Sequence, residues 1–301
     1  MLSDKNTLIV IGGPTGSGKT LFAIRLARAI NASIISADSR QVFRELKIGS
    51  AAPSEDELAL APHYFVGSHG ITDSFSAGIF AEQSLTLLQE KLFRQNPIQI
   101  VCGGSGLYIN ALIRGLDEMP DIPDFIREDV NTKFKMHGIE YLQEQIKVKD
   151  PAYFEEVDPS NPRRLQRALE VIQHTGKPYS FFRKKRTCRP PFEVIFYALS
   201  PSREELYANI NQRTHSMIEK GWIEETRKLT AHQHLNALQT VGYKEIFAYF
   251  QQQRDLDQTI SMIQQNTRRF AKRQITWFRG QEDVRWIHPS VELEELGISN
   301  W

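Results

Sequence analysis

Residues 7–20 read TLIVIGGPTGSGKT. A run of residues suited to a short buried strand passes into a glycine turn, and LFAIRLARAI after it has apolar residues at helical spacing. Gly13-Pro14-Thr15-Gly16-Ser17-Gly18-Lys19-Thr20 matches the pattern G-x-x-x-x-G-K-[ST] in full. Its glycines let backbone N–H groups converge on phosphate oxygens without side-chain obstruction. The helix beginning near Lys19 adds the positive end of its dipole. Lys19 supplies a point charge, and the Thr20 hydroxyl is placed to ligate Mg²⁺. The motif predicts a phosphate site without naming the phosphate compound. ATP is the default ligand, which keeps a nucleotide or small-molecule kinase open, but a prenyl diphosphate presents the same diphosphate–magnesium group.

Outward from this loop, ASIISAD at 32–38 reads as a second strand, a helix covers about 76–95, and PIQIVC at 97–102 is another apolar strand, broken by GGSG. Strand–helix alternation of this kind implies a parallel sheet with helices on both faces, an α/β fold of the P-loop NTPase type. The character changes at 117–124, DEMPDIPD. Residues 125–182 then read as helical, and FEVIFYAL at 192–199 returns to the strand grammar. The reading is a helical insertion, 119–189, inside one core made of 1–118 and 190–301. Beyond it, 202–230 and 256–279 read as long helices, and DVRWIH at 283–288 as a candidate edge strand.

Hydrophobic content of 41% and charged content of 24% in 301 residues are ordinary for a globular protein. No apolar run approaches the roughly 20 residues of a membrane span, and the start has no signal-peptide layout. Two cysteines, Cys102 in a strand and Cys188 in a basic stretch, give no disulfide framework. These features predict a cytoplasmic protein. The histidines show no metal-ligand spacing joined to cysteines, so no zinc site is expected, and the chain ends at Trp301 without a zinc-finger tail. Net charge is +1, yet positive charge is clustered. Arg183, Lys184, Lys185, Arg186 and Arg189 form one run; Arg268, Arg269, Lys272 and Arg273 form another, with i,i+4 pairs that stack like charges on one face. The repulsion predicts a phosphate-rich partner, with a solvated face as the alternative.

Asp38 ends the second strand and should lie on the same sheet edge as the phosphate loop. Three roles compete for it: a water-linked Mg²⁺ ligand, a general base, or a cap for the next helix. GGPTGSGKT, SADSRQVFRELKIGSAAP, VCGGSGLYI, NPRRLQRALEV and TRRFAKRQITWFRG, in that order across residues 8–280, resemble the tRNA dimethylallyltransferases (tRNA isopentenyltransferases). The resemblance implies transfer of a dimethylallyl group from dimethylallyl diphosphate to N6 of adenosine at tRNA position 37, with Mg²⁺ as cofactor and a monomeric protein holding an anticodon arm. It puts diphosphate on Thr15 to Thr20 and makes Asp38 the base toward a flipped-out adenine, with Ser39, Arg40 and Gln41 beside the tRNA. Ser105 falls beside the reaction centre, although a small residue in a tight turn is the alternative. Arg213 matches an arginine that reaches the diphosphate. Arg127, Arg163, Arg164 and Arg167 of the insertion, and Arg269, Lys272 and Arg273 near the end, are the implied tRNA contacts. The arginines of NPRRLQRALEV also suit the lid of a nucleotide kinase. LQTVGYKE, with Thr240, Gly242, Tyr243 and Lys244, resembles a further signature, whereas Trp277 and Phe278 read as core.

The chain departs from the family pattern at several positions. Ala52 stands where lysine is usual, Ser50 and Ser105 replace threonines, Phe43 replaces tyrosine, and Gly67 and Ile79 replace aspartates. With Asp38, Lys19 and Thr20 retained, activity is expected, and a tRNA-binding protein without catalysis is the further alternative.

Overall fold

Thr7–Gly12 is the central strand, β1, of a six-stranded parallel sheet in the computed structural model, which describes residues 5–183 and 190–297. The others are β2 (Ile34–Ser36), β3 (His63–Tyr64), β4 (Ile98–Cys102), β5 (Glu193–Leu199) and β6 (Val284–Ile287), in the order β3-β2-β4-β1-β5-β6. Every pairing is parallel. The alternation of β1 explains the layers. Leu8 and Val10 join Ile35, Phe80, Ile109 and Phe278 on one face, while Ile9 and Ile11 join Phe22, Leu26, Ile100 and Leu199 on the other. A strand buried on both faces has no polar side to show, which is why TLIVIG is apolar without alternation.

The chain forms two compact units, Met1–Ile113 with Arg189–Trp301, and Arg114–Cys188. In the second, the Asp124–Lys149 and Pro162–Thr175 helices pack around Val130, Leu142, Ile146, Leu165 and Leu169. Asp150, 1% exposed, ties it together: its carboxylate accepts from Tyr153 N at 3.1 Å, Ser180 N at 2.7 Å and Ser180 Oγ at 2.7 Å. Three donors satisfy a carboxylate that would otherwise be costly to bury. Lys184, Lys185, Arg186, Cys188 and Arg189 lie outside the described residues.

Two sequence expectations needed correction. The helix read over 202–230 is two, Arg203–Glu219 and Trp222–Lys228, because Gly221 between them takes φ 94°, which glycine adopts without strain. The second strand is three residues long, although Ala37 N still bonds Cys102 O at 2.8 Å. Strand β3 was not foreseen; two residues carry no periodicity.

The Leu256–Arg279 helix is seated on the sheet by Phe278. Phe278 is fully buried, edge-on to Phe196 at 6.0 Å, and lies where a side chain at Gly12 would fall, 2.5 Å from an added Cβ. Phe278→Ala should therefore lower unfolding free energy by about 3–5 kcal/mol. Denaturant titration followed by circular dichroism reads this directly, and a loss under 1 kcal/mol would contradict the packing.

Candidate active site

Three neighbouring strands deliver the site at their carboxyl ends. β1 leads into the phosphate loop, β2 into Asp38, and β4, between them, into Gly103-Gly104-Ser105. Gly103 N bonds Ile11 O at 3.1 Å, so the three strand ends stay level. This is the crevice that open parallel sheets reserve for ligands.

In the loop, Gly13, Gly16 and Gly18 take φ of 136°, 83° and 82°, values that L side chains avoid. Gly13 also runs against β5, where an added Cβ would meet Leu199 O at 2.8 Å. Thr15, Gly16, Gly18, Lys19 and Thr20 line a cavity of about 370 Å³ together with Asp38 and Arg213. Ser17 and Gly13 do not line it. Ser17 is 1% exposed, and its amide bonds Pro14 O at 3.3 Å.

Lys19 Nζ donates to Pro14 O at 2.6 Å. Burial, reinforced by the nearby Arg213 cation, pulls the Lys19 pKa down to about 8 against the opposing pull of Asp38. Cys102 also faces this cavity, but burial pushes its thiol up to about 12, so at neutral pH it offers no countercharge. Burial likewise lowers Arg213, with Asp38 acting the other way. Two desolvated cations share one wall, and an anion between them relieves the cost of both.

Asp38 Oδ1 accepts from Arg40 N at 2.9 Å and Gln41 N at 3.3 Å. The carboxylate therefore caps its own turn through one oxygen while lining two adjoining cavities, the 370 Å³ one and a smaller one of about 170 Å³. Ser105 Oγ accepts from Ser39 N at 3.0 Å, which leaves its proton for another acceptor. Gln41 is spent internally, taking Ser36 Oγ at 2.9 Å and donating to Ala51 O at 3.1 Å. Ser39 and Arg40 line the smaller cavity, with Ser105, Thr240, Val241 and Phe270.

Arg213 Nη2 donates to Thr15 Oγ1, and Thr15 N donates to Gln274 Oε1 at 2.8 Å. Gln274 Nε2 then donates to Gly104 O at 2.9 Å. This buried glutamine joins the loops after β1 and β4 and lines both cavities. Sequence reasoning missed it; the signal was its place in AKRQITW, one turn after Phe270 on a helix whose opposite face is basic.

The basic residues divide. Arg269, Lys272 and Arg273 are exposed, with Arg273 over the Phe270 ring at 5.8 Å. Arg268 does not join them: it donates to Asn211 Oδ1 at 2.7 Å and lies over Tyr207 at 5.7 Å. In the insertion, Arg163 and Arg164 are exposed, Arg127 pairs with Asp124 at 3.7 Å and Arg167 with Glu170 at 3.5 Å. Phe43, Ala52 and Gly67 line a third cavity of about 610 Å³.

A family model described as IPP transferase matches residues 41–281. The tRNA dimethylallyltransferase 1 of Bacteroides fragilis is 43% identical over 290 residues, 96% of both chains. That of Christiangramia forsetii is 46% identical over 282 residues, 94% of this chain and 93% of the relative. Among solved structures, the tRNA isopentenylpyrophosphate transferase of Bacillus halodurans superposes with a TM-score of 0.70 at 31% identity, over 98% of this chain and 95% of that one. A eukaryotic dimethylallyltransferase shares the fold at a TM-score of 0.78 and 23% identity, over 97% and 78%.

Two outcomes follow from the geometry. Gln274→Leu strands the Thr15 amide and the Gly104 carbonyl, at about 1–3 kcal/mol each; binding of an unreactive alkyl diphosphate, read by calorimetry, should weaken about tenfold or more. Between pH 7 and 9.5 the same ligand should bind the native protein progressively less well. Lys19 loses its proton above about 8 in the empty site, and the anion, by raising that pKa, draws a proton in. Lys19→Met should flatten the profile; an unflattened one would assign the titration elsewhere.

Proposed function

The chain belongs to the IPP transferase family, and from that premise we propose that it moves the dimethylallyl group of dimethylallyl diphosphate onto N6 of adenosine at tRNA position 37, next to the anticodon, releasing diphosphate. The observation that carries the assignment of roles is Asp38 at the border of two cavities, one lined by Lys19, Thr20 and the loop, the other by Ser105 and Phe270. The diphosphate occupies the first. Lys19, Arg213 and the loop amides stabilise the charge that grows on it as the allylic C–O bond breaks. The adenine, extruded from its stack, enters the second. Its exocyclic nitrogen bonds the allylic carbon, and the proton it must shed passes to Asp38.

Mg²⁺ belongs with this reading. A hydroxyl on the cavity wall, together with oxygens of a bound diphosphate, would suit a hard cation of this kind. Thr20, on the wall of the phosphate cavity, fits as that hydroxyl. The ion supplies positive charge to the departing diphosphate. Arg269, Lys272 and Arg273 in the core unit and, separately, Arg127, Arg163, Arg164 and Arg167 in the Arg114–Cys188 unit are the residues we assign to tRNA phosphates. No helix among the described residues is long and apolar enough to cross a membrane, and we take the acting species to be a cytoplasmic monomer.

The decisive measurement is mass spectrometry of nucleosides from tRNA incubated with the protein, Mg²⁺ and dimethylallyl diphosphate. The product should carry N6-dimethylallyl-adenosine, with no phosphate transferred from ATP in a parallel reaction. Asp38→Asn should cut the rate by about 10²–10⁴ and leave tRNA affinity intact by filter binding. Phosphate transfer from ATP in place of prenylation would move the protein to the kinases.

A further inference from the structure

The 610 Å³ cavity beside the site has mostly apolar walls, with Phe43, Ile48, Leu58, Val66 and Met217 among them. It shares Ala51 and Arg213 with both reaction cavities. A thin partition therefore stands between an apolar space and the phosphate site, and the turn at 48–51 forms much of it: Ile48 faces the large cavity, Gly49 the small one, and Ser50 both reaction cavities. The backbone there is unusual. Ala51 takes φ 51°, left-handed for a residue with a Cβ, while its N bonds Ile48 O at 2.9 Å and Ala52 N bonds Lys47 O at 3.1 Å. Such a conformation persists only where its surroundings impose it.

What imposes it lies behind the turn. Glu225, on the Trp222–Lys228 helix, accepts from Ile48 N at 2.7 Å through Oε2 and from Gly49 N at 2.9 Å through Oε1. Tyr243, fully buried, adds its hydroxyl to Oε1 at 2.7 Å. Gly49 closes the fit: an added Cβ would lie 2.1 Å from Trp222 Nε1 and 2.4 Å from Tyr243 Oη. Three donors converge on one carboxylate that lines none of the three cavities.

We propose that Glu225 is a positioning residue that pins this turn as the partition between the phosphate site and the apolar cavity, and so holds the prenyl donor to a short chain. The proposal rests on the transfer reading above. With the partition fixed, the hydrocarbon of a donor seated at Lys19 and Arg213 is confined to the reaction cavities. With the turn released, the apolar cavity opens to it and a longer chain finds walls to cover it. Glutamine cannot replace the carboxylate, since it offers one acceptor oxygen and turns an N–H₂ toward a donor.

The test compares unreactive thiolo analogues of dimethylallyl and geranyl diphosphate by calorimetry. The native protein should prefer the five-carbon analogue. In Glu225→Gln the ratio of the two affinities should move toward the ten-carbon analogue by about tenfold, the order that one or two buried methylenes carry. Tyr243→Phe removes one of the three donors but keeps the ring, and should shift the ratio the same way by less. A folded Glu225→Gln with the native ratio, both affinities falling in parallel, overturns the proposal. If that variant does not fold, Tyr243→Phe decides alone, and its native ratio is equally fatal. Transfer to tRNA by the native protein is scored separately. Binding of the short analogue without transfer would sink the proposed function, while the ratio would still judge the partition.

Discussion

The site depends on positive charge held out of water. Lys19 and Arg213 are both pulled toward neutrality by burial, Arg213 also acts against Lys19, and Asp38 is the carboxylate that opposes the effect on each. A fold does not hold two cations this way without cost, and here the cost is offset when an anion arrives. Residues of the phosphate loop, the start of the Lys19–Ala29 helix and the two cations all line the same cavity. A neutral ligand of the same size gains none of this. The arrangement favours an anionic ligand before any reaction is considered.

Holding the cations requires a frame, and it is made of polar bridges between and within the loops at the strand ends. Gln274 joins Thr15 to Gly104, Ser105 receives the Ser39 amide, and Gln41 ties Ser36 to Ala51. The first two link the ends of neighbouring parallel strands and the third braces the connection after β2, so the loops behave as one rim. Glycines at 103, 104 and 106 permit it. Added Cβ atoms there would lie 2.1 Å from Ala37 O, 2.3 Å from Gln274 Nε2 and 2.3 Å from the Trp277 ring. A rim locked in this way suits a reaction whose two partners must be held in line while water is kept out.

The sequence was legible where residue type at a fixed local spacing carries the reading, and not in the bridges of this frame. The phosphate loop and Asp38 after the second strand were read that way, and the parallel sheet followed from strand–helix alternation. Legibility failed where an interaction crosses long sequence distances or depends on the third dimension. Gln274 is 259 residues from Thr15, and its place in AKRQITW marks the inner face of the helix without saying which loops it joins. Glu225 carries no mark in the sequence and Tyr243 only a signature resemblance, and their shared role shows only in their contacts with the turn at Ile48 and Gly49. Arg268 looked like part of the basic face, yet the helix turns it toward Asn211. Ser17 matches the loop pattern but sits behind it, since a pattern match cannot tell a side chain that faces the ligand from one that supports the turn.

The Leu256–Arg279 helix shows why the two halves of the proposed reaction belong on one element. Phe278 anchors it in the core, Gln274 and Phe270 look into the cavities, and Arg269, Lys272 and Arg273 stay exposed. A helix anchored by a buried aromatic cannot rotate to serve one face without disturbing the other. Phosphates drawn to the basic residues therefore meet a surface whose position relative to Thr15 is already set, through Gln274, to within a hydrogen bond. In the proposed function this fixes the distance between the acceptor's backbone and the donor's diphosphate in advance. Under the proposed function, the like charges on the outer face and the glutamine joining two loops on the inner one are parts of one arrangement: RNA phosphates would relieve the first, and the second holds the phosphate loop in place.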